Sequence, residues 1–135
     1  MKKTLLLVLT VLTLAACAST PTPDLSGAWT LVSYGDASNP TPALPGVDTS
    51  IQFEDGQMSG NVGCNGFGGE YELTGNTITF GPVMSTLMFC DGIAQQEQGV
   101  LSTFADGEEL TIKVDGDLMS ITSADGAMVV NLARK

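Results

Sequence analysis

The chain has 135 residues, with 15 acidic against 5 basic side chains, three cysteines and no histidine. A formal charge of −10 repels nucleic-acid phosphates and anionic headgroups, so no nucleic-acid partner is expected. Without histidine the usual general base, metal ligand and pH switch are missing, and neither a metal nor a cofactor is expected.

Lys2 and Lys3 precede an apolar run from Leu5 to Leu14, too short to span a bilayer. Leu14, Ala15, Ala16 and Cys17 follow at once, the layout of a secretory signal with small residues before its cleavage point. The cysteine directly after Leu-Ala-Ala resembles the bacterial lipobox. That resemblance implies a signal peptide over residues 1–16 and a lipidated Cys17 as first residue of the mature chain. The competing reading is an ordinary cleaved signal with a coincidental cysteine. Several acyl chains on one cysteine would make membrane attachment through Cys17 stable. Ala18 and Ser19 put no aspartate beside it, so an outer-membrane lipoprotein facing the periplasm is expected. The mature chain then keeps 119 residues, enough for one core, with three basic residues against fifteen acidic ones.

Residues 17–24 are small, polar and proline-containing, and read as an extended tether. Gly27 to Tyr34 is aromatic and β-branched, with Trp29 and Leu31 alternating against Thr30 and Val32; it reads as a strand. Gly35 to Gly46 carries three prolines without periodicity and reads as a loop. Ile51 and Phe53 mark a second strand, and the Asp-Gly of Glu54 to Gln57 a hairpin turn. Met58 and Val62, then Tyr71 and Leu73, then Ile78 and Phe80 mark further strands. Ile93, Glu97, Val100, Leu101, Phe104 and Ala105 recur at the helical period. The spacing predicts one amphipathic helix of about three turns, capped by Asp91 and ended by Gly107. Gly99 costs that helix about 1 kcal/mol relative to alanine. Leu110, Ile112 and Val114, then Met119 and Ile121, then Met128, Val130 and Leu132 complete the pattern, with turns at Asp115–Asp117 and Ser123–Gly126. The expected architecture is mainly β (α+β): a curved antiparallel sheet or cracked β-barrel of about eight strands, with one helix over its open side.

Cys64 and Cys90 remain as a pair once Cys17 is lipidated, and exported proteins with such a pair usually bridge it. The glycines around Cys64 suit a tight bend. A reactive Cys64 thiol is the competing reading, and it lacks a histidine to make the thiolate. Glu97 falls close to the apolar helix face and needs hydrogen-bond partners; the Asn65 amide or backbone N–H groups of the glycine-rich turn could supply them. Glu70 and Glu72 share one strand face and read as a solvated surface rather than an acid/base pair. Asp115–Asp117 reads as a hairpin turn rather than a calcium loop. Met58, Met84, Met88, Met119 and Met128 are expected to fill the core rather than to line a copper site.

The stretch Gly60 to Leu73, then Met84 to Cys90, then Glu97 in a helix, then the Asp117-to-Leu132 tail resembles the META domain, or HslJ, family. The resemblance covers about Leu25 to Leu132 and places the domain at residues 25–135. Its most specific residues are Gly63, Cys64 and Asn65, then Thr86, Met88 and Cys90; Trp29 in the first strand and Glu97 in the helix also fit. The arginines that the family often carries after the asparagine and between the threonine and methionine are Gly66 and Leu87 here. The resemblance implies a small envelope lipoprotein linked to stress tolerance, a pilotin-like cracked barrel with a helix, and no established catalytic mechanism. The expected function is a non-catalytic, lipid-anchored monomer that binds or stabilises another, unidentified envelope protein. The alternative is a binder of a small apolar ligand inside the barrel.

Overall fold

The computed structural model describes residues 21–135; the expected signal peptide 1–16, Cys17 and the first part of the tether lie outside the described residues. The elements in chain order are β1 (Gly27–Asp36), β2 (Thr41–Pro42), β3 (Ser50–Glu54), β4 (Gln57–Asn61), β5 (Gly66–Thr74), β6 (Thr77–Phe80), β7 (Met84–Ser85), α1 (Ala94–Thr103), β8 (Glu109–Asp115), β9 (Leu118–Thr122) and β10 (Met128–Arg134).

Eight strands run in the order β10-β9-β8-β6-β5-β4-β3-β1, and β1 pairs back onto β10 from Trp29 opposite Arg134 to Asp36 opposite Met128. The sheet is mainly antiparallel β closed into a barrel, which leaves no open side for a helix to cover. The short β2 and β7 lie against β1 and β5. The chain enters at one end of the barrel beside Leu25 and Trp29. The Asp55–Gly56 turn, with both residues at positive φ, and the Asp115-to-Leu118 turn close strands at that same end.

Alternation along β1 changes phase at Val32. Trp29 and Leu31 point inward, and then Tyr34 does, because the register against β10 shifts between Leu31 and Ser33. The extra residue is a bulge, the usual device for bending a barrel strand. The interior is filled by the chain's own side chains: Trp29, Phe53, Phe80, Phe104, Ile51 and Ile112 are essentially inaccessible. Trp29 seals the N-terminal end, its indole N–H donating to the Leu25 carbonyl at 2.8 Å, with the Arg134 guanidinium 4.3 Å from the ring centre.

Helix α1 lies across the opposite end. Phe104 packs on Phe80 and Phe67, with ring centres 4.8 and 6.5 Å apart, and Gly99 rests on Tyr34. The helix differs from the expectation in two ways. It begins after Ile93 with no side-chain cap, so Asp91 does not cap it, and it ends at Thr103, before Gly107. Its buried face is also more polar: Gln96, Glu97 and Thr103 are buried beside Val100, while Leu101 is only half-buried and Ala105 exposed. The reason is its position. It covers barrel-end loops whose backbone groups have no strand partners, and Gln96 and Glu97 answer those groups where apolar side chains could not, while Thr103 bonds back to the Gly99 carbonyl of its own helix.

The role of Gly99 is also reversed. A Cβ there would sit 2.5 Å from two ring carbons of the buried Tyr34. Gly99→Ala is therefore expected to destabilise the domain by about 1–3 kcal/mol through overpacking, outweighing the gain in helix propensity. Urea unfolding of the variant checks this, and an increase in stability would contradict it.

Candidate functional site

The connection between β4 and β5, residues 62–65, turns sharply beneath the first turn of α1. The Asn61 side chain shapes the turn, accepting the Gly63 N–H at 2.7 Å and donating to the Cys64 carbonyl at 3.0 Å. Gly63 sits at φ +144°, and a Cβ on it would meet the Ile93 side chain at 2.4 Å, so the helix can settle only over glycine. The turn aims the backbone N–H groups of Cys64 and Asn65 at Glu97.

Glu97 is buried and fully engaged. Its Oε1 accepts the Cys64 N–H at 3.1 Å and the Asn65 N–H, and its Oε2 accepts the Asn65 amide at 2.9 Å. Charge-assisted bonds of this kind are the strong class. Next to it, buried Gln96 donates to the Val62 carbonyl at 2.6 Å and accepts the Leu44 N–H at 2.8 Å. Two successive helical side chains thus satisfy two separate loop segments, the 62–65 turn and the loop at Leu44.

Asn65 carries the contact outward. Its amide nitrogen donates to Glu97 and, at 3.1 Å, to the Met88 carbonyl. Its oxygen accepts the Met88 N–H at 2.7 Å and the Thr86 hydroxyl at 2.8 Å. Both donors and both lone pairs are used, the full capacity of the side chain. Segment 84–90 is held at both ends and in the middle. Ser85 pairs with Phe67, the Thr86 N–H donates to the Gly66 carbonyl at 3.0 Å, Met88 is clasped by Asn65, and Cys90 is bridged to Cys64 across a Cα separation of 6.0 Å.

Between these fixed points the side chains face solvent. Leu87 is 94 % exposed, Phe89 90 %, Met84 74 % and Met88 59 %. An ordered strap with consecutive bare apolar side chains sits over one end of the barrel.

Gly63, Cys64, Asn65, Thr86, Met88, Cys90 and Glu97 come together in this assembly, whereas Trp29 lies at the other barrel end and Cys17 outside the described residues. Met58 and Met119 are in the core as expected, but Met84 and Met88 are not. Their segment is tied down through its backbone, which leaves their side chains outward. Leu87 and Phe89 were missed as site residues; the signal was a run of apolar residues from Leu87 to Phe89 that follows neither strand nor helix period. Glu70 and Glu72 project from the outer wall of β5 as expected. Among the described residues no group of three or more metal-ligating side chains is assembled.

A closed antiparallel barrel with a helix across one end, and a buried glutamate holding a disulfide-linked strap, defines a small β-barrel domain. The META domain profile matches residues 23–135, and the chain belongs to that family. No curated protein matches the sequence significantly. An NMR structure of a protein from Burkholderia xenovorans is similar at a TM-score of 0.66 and 20 % identity, covering 95 % of this chain and 99 % of the other. A DUF4847 family protein from Bacteroides vulgatus is similar at a TM-score of 0.57 and 15 % identity, covering 82 % and 94 %. An uncharacterized protein from Bacteroides eggerthii is similar at 0.53 and 16 % identity, covering 82 % and 99 %. At these identities the likeness concerns the fold alone.

Proposed function

We propose that this chain is a non-catalytic, lipid-anchored envelope domain that uses the strap of Met84 to Cys90 to bind or stabilise another envelope protein, in a role connected with stress tolerance. The observation that carries the reading is that Leu87 and Phe89 are almost fully exposed while the backbone on both sides is fixed by Asn65 and the disulfide. A surface held rigid before contact loses little entropy on binding. The polar groups nearby support the non-catalytic part: Glu97 spends both carboxylate oxygens on Cys64 and Asn65, and both sulfurs are in a bridge. The alternative, an apolar ligand inside the barrel, would have to displace Trp29, Phe53, Phe80 and Phe104 from an interior they already fill.

A photo-crosslinking residue at position 89 in intact cells is expected to give an adduct with an envelope protein, identified by mass spectrometry. The same residue at exposed Leu118, on β9, is expected to give none. Equal adducts from both positions would count against the strap as the contact surface.

Anchoring is tested separately. Cys17→Ser is expected to move the protein from the membrane fraction to the soluble periplasmic fraction. Unchanged membrane retention, with no acyl mass on the wild-type chain, would show that attachment has another origin.

A further inference from the structure

The chain carries six methionines, Met1 and five in the domain, and those five differ sharply in exposure. Met58 and Met119 are buried in the core and Met128 is half-buried, whereas Met84 and Met88 stand on the strap with most of their surface in solvent. A thioether is apolar, soft and polarizable, and a core is its usual place. Here the backbone prevents burial. Met84 pairs with Gly68 where β7 meets β5, and the Met88 N–H and carbonyl are both held by Asn65. An open hollow of about 470 Å³ lies beside Met84, lined by Gly66, Phe67, Gly68 and Thr86, and the two glycines have no side chain to shelter the sulfur.

These two sulfurs stand open to an oxidant, and the other oxidisable groups do not compete. Among the described residues Cys64 and Cys90 share a bridge and offer no thiolate, and Trp29 is inaccessible at the other barrel end. Hypochlorous acid takes two electrons from a thioether sulfur. The sulfur gains the oxygen as S=O, and the oxidant leaves as chloride and a proton. Nothing in the fold rests on either sulfur. The strap is held through backbone groups, the Asn65 side chain and the disulfide, so a sulfoxide on Met84 or Met88 leaves those bonds in place. What changes is the surface. Met88 stands between Leu87 and Phe89, and a sulfoxide there sets a polar acceptor in the middle of the exposed apolar run. A partner shaped for a thioether would then bury an unpaired polar oxygen.

We propose that Met84 and Met88 form an oxidation site, at which hypochlorous acid converts both thioethers to sulfoxides while the barrel stays native. Resting on the reading of the strap as a docking surface, the modification turns that surface polar and releases the partner, and methionine sulfoxide reductase chemistry restores it.

For the test, the mature chain is treated with limiting hypochlorous acid, quenched with free methionine, digested and mapped by mass spectrometry. Met84 and Met88 are expected to gain one oxygen roughly tenfold or more ahead of Met58 and Met119, with Met128 between them. Oxidation in urea should erase that order, and the urea midpoint of the chain oxidised while folded should match that of the untreated chain. Met58 or Met119 oxidised as fast as the strap pair in the folded chain, or Met84 and Met88 spared, would overturn the site. A clearly lowered midpoint would overturn the statement that the barrel stays native. Release is read separately. The purified chain with the photo-crosslinking residue at position 89 is oxidised, quenched and then added to an envelope fraction, so that only this protein is modified. The adduct given by the untreated chain is expected to fall roughly tenfold. It should return when the oxidised chain is first treated with methionine sulfoxide reductases. An adduct unchanged by oxidation would overturn release and leave the oxidation site standing. No adduct from the untreated chain would remove the docking reading and release with it, while the oxidation site still stands or falls on the mass map.

Discussion

Replacing Glu97 with alanine is expected to lower the stability of the domain by about 3–5 kcal/mol, far more than the loss of one helix-surface charge. The carboxylate accepts two backbone N–H groups and one side-chain amide. Each of these donors loses its partner in the variant, and buried donors without partners cost roughly 1–3 kcal/mol apiece before water enters. Glu97→Gln separates charge from shape. Its amide oxygen can still accept the Cys64 and Asn65 N–H groups, but its NH₂ then faces the Asn65 NH₂. Asn65 cannot turn over to relieve this, because its oxygen is already held by Thr86 and the Met88 N–H. The glutamine variant is expected to lose about 1–3 kcal/mol, less than alanine. Urea unfolding gives both values, and amide exchange at Met88 gives a second reading, since loosening Asn65 should expose that N–H. If both variants stay within about 0.5 kcal/mol of wild type, the range of an ordinary surface change, Glu97 does not hold the turn.

Much of the barrel can be read from the sequence, because strand residues obey local rules. The period-2 alternation of Ile51 and Phe53, Leu110 and Ile112, Met119 and Ile121 gives inward positions that the structure buries. The Asp-Gly turn likewise fixes its hairpin through backbone conformation alone. Closure is less legible. The pairing of β1 with β10 joins residues about a hundred apart, and nothing in either strand marks the other as its neighbour. The same holds for α1, where periodicity grouped Leu101 and Ala105 with the buried face while the structure buries Gln96 and Thr103. Apolar periodicity measures a face turned to a hydrophobic core. It misjudges a helix whose Gln96 and Glu97 satisfy backbone groups of two loops.

The candidate site divides in the same way. Glu97 is noticeable because a carboxylate near a buried face needs partners, and the Asn65 amide and glycine-turn N–H groups are the local donors able to meet it. The exposure of Met84 and Met88 is not noticeable, since hydrophobicity places methionine inside unless the backbone is held from below. Here Asn65 does that holding through one residue's N–H and C=O, much as a neighbouring strand would. The result is a segment too apolar to read as a surface loop and too well bonded to collapse inward.

Removing the bridge in Cys64→Ser/Cys90→Ser is expected to cost about 3 kcal/mol, from the freedom regained by an unfolded chain no longer closed over 26 residues. Thiol labelling of denatured, unreduced mature protein comes first, and two reactive thiols there would show the bridge absent from the protein. The folded variant should keep the Asn65 clasp, because its hydrogen bonds to Thr86 and Met88 do not pass through sulfur. The stretch from Phe89 to Cys90 loses its only covalent hold, so chymotrypsin should cut after Phe89 faster than in wild type, while cleavage elsewhere changes little. Glu97 and the disulfide both fix the 62–65 turn, so their effects should not add. With Glu97→Gln already present, the further loss from removing the bridge is expected to differ from its loss in the wild-type background by more than about 0.5 kcal/mol. Strict additivity would mean that the bridge and the carboxylate hold independent parts of the molecule, and the strap would then not be the single clamped unit that its hydrogen bonds describe.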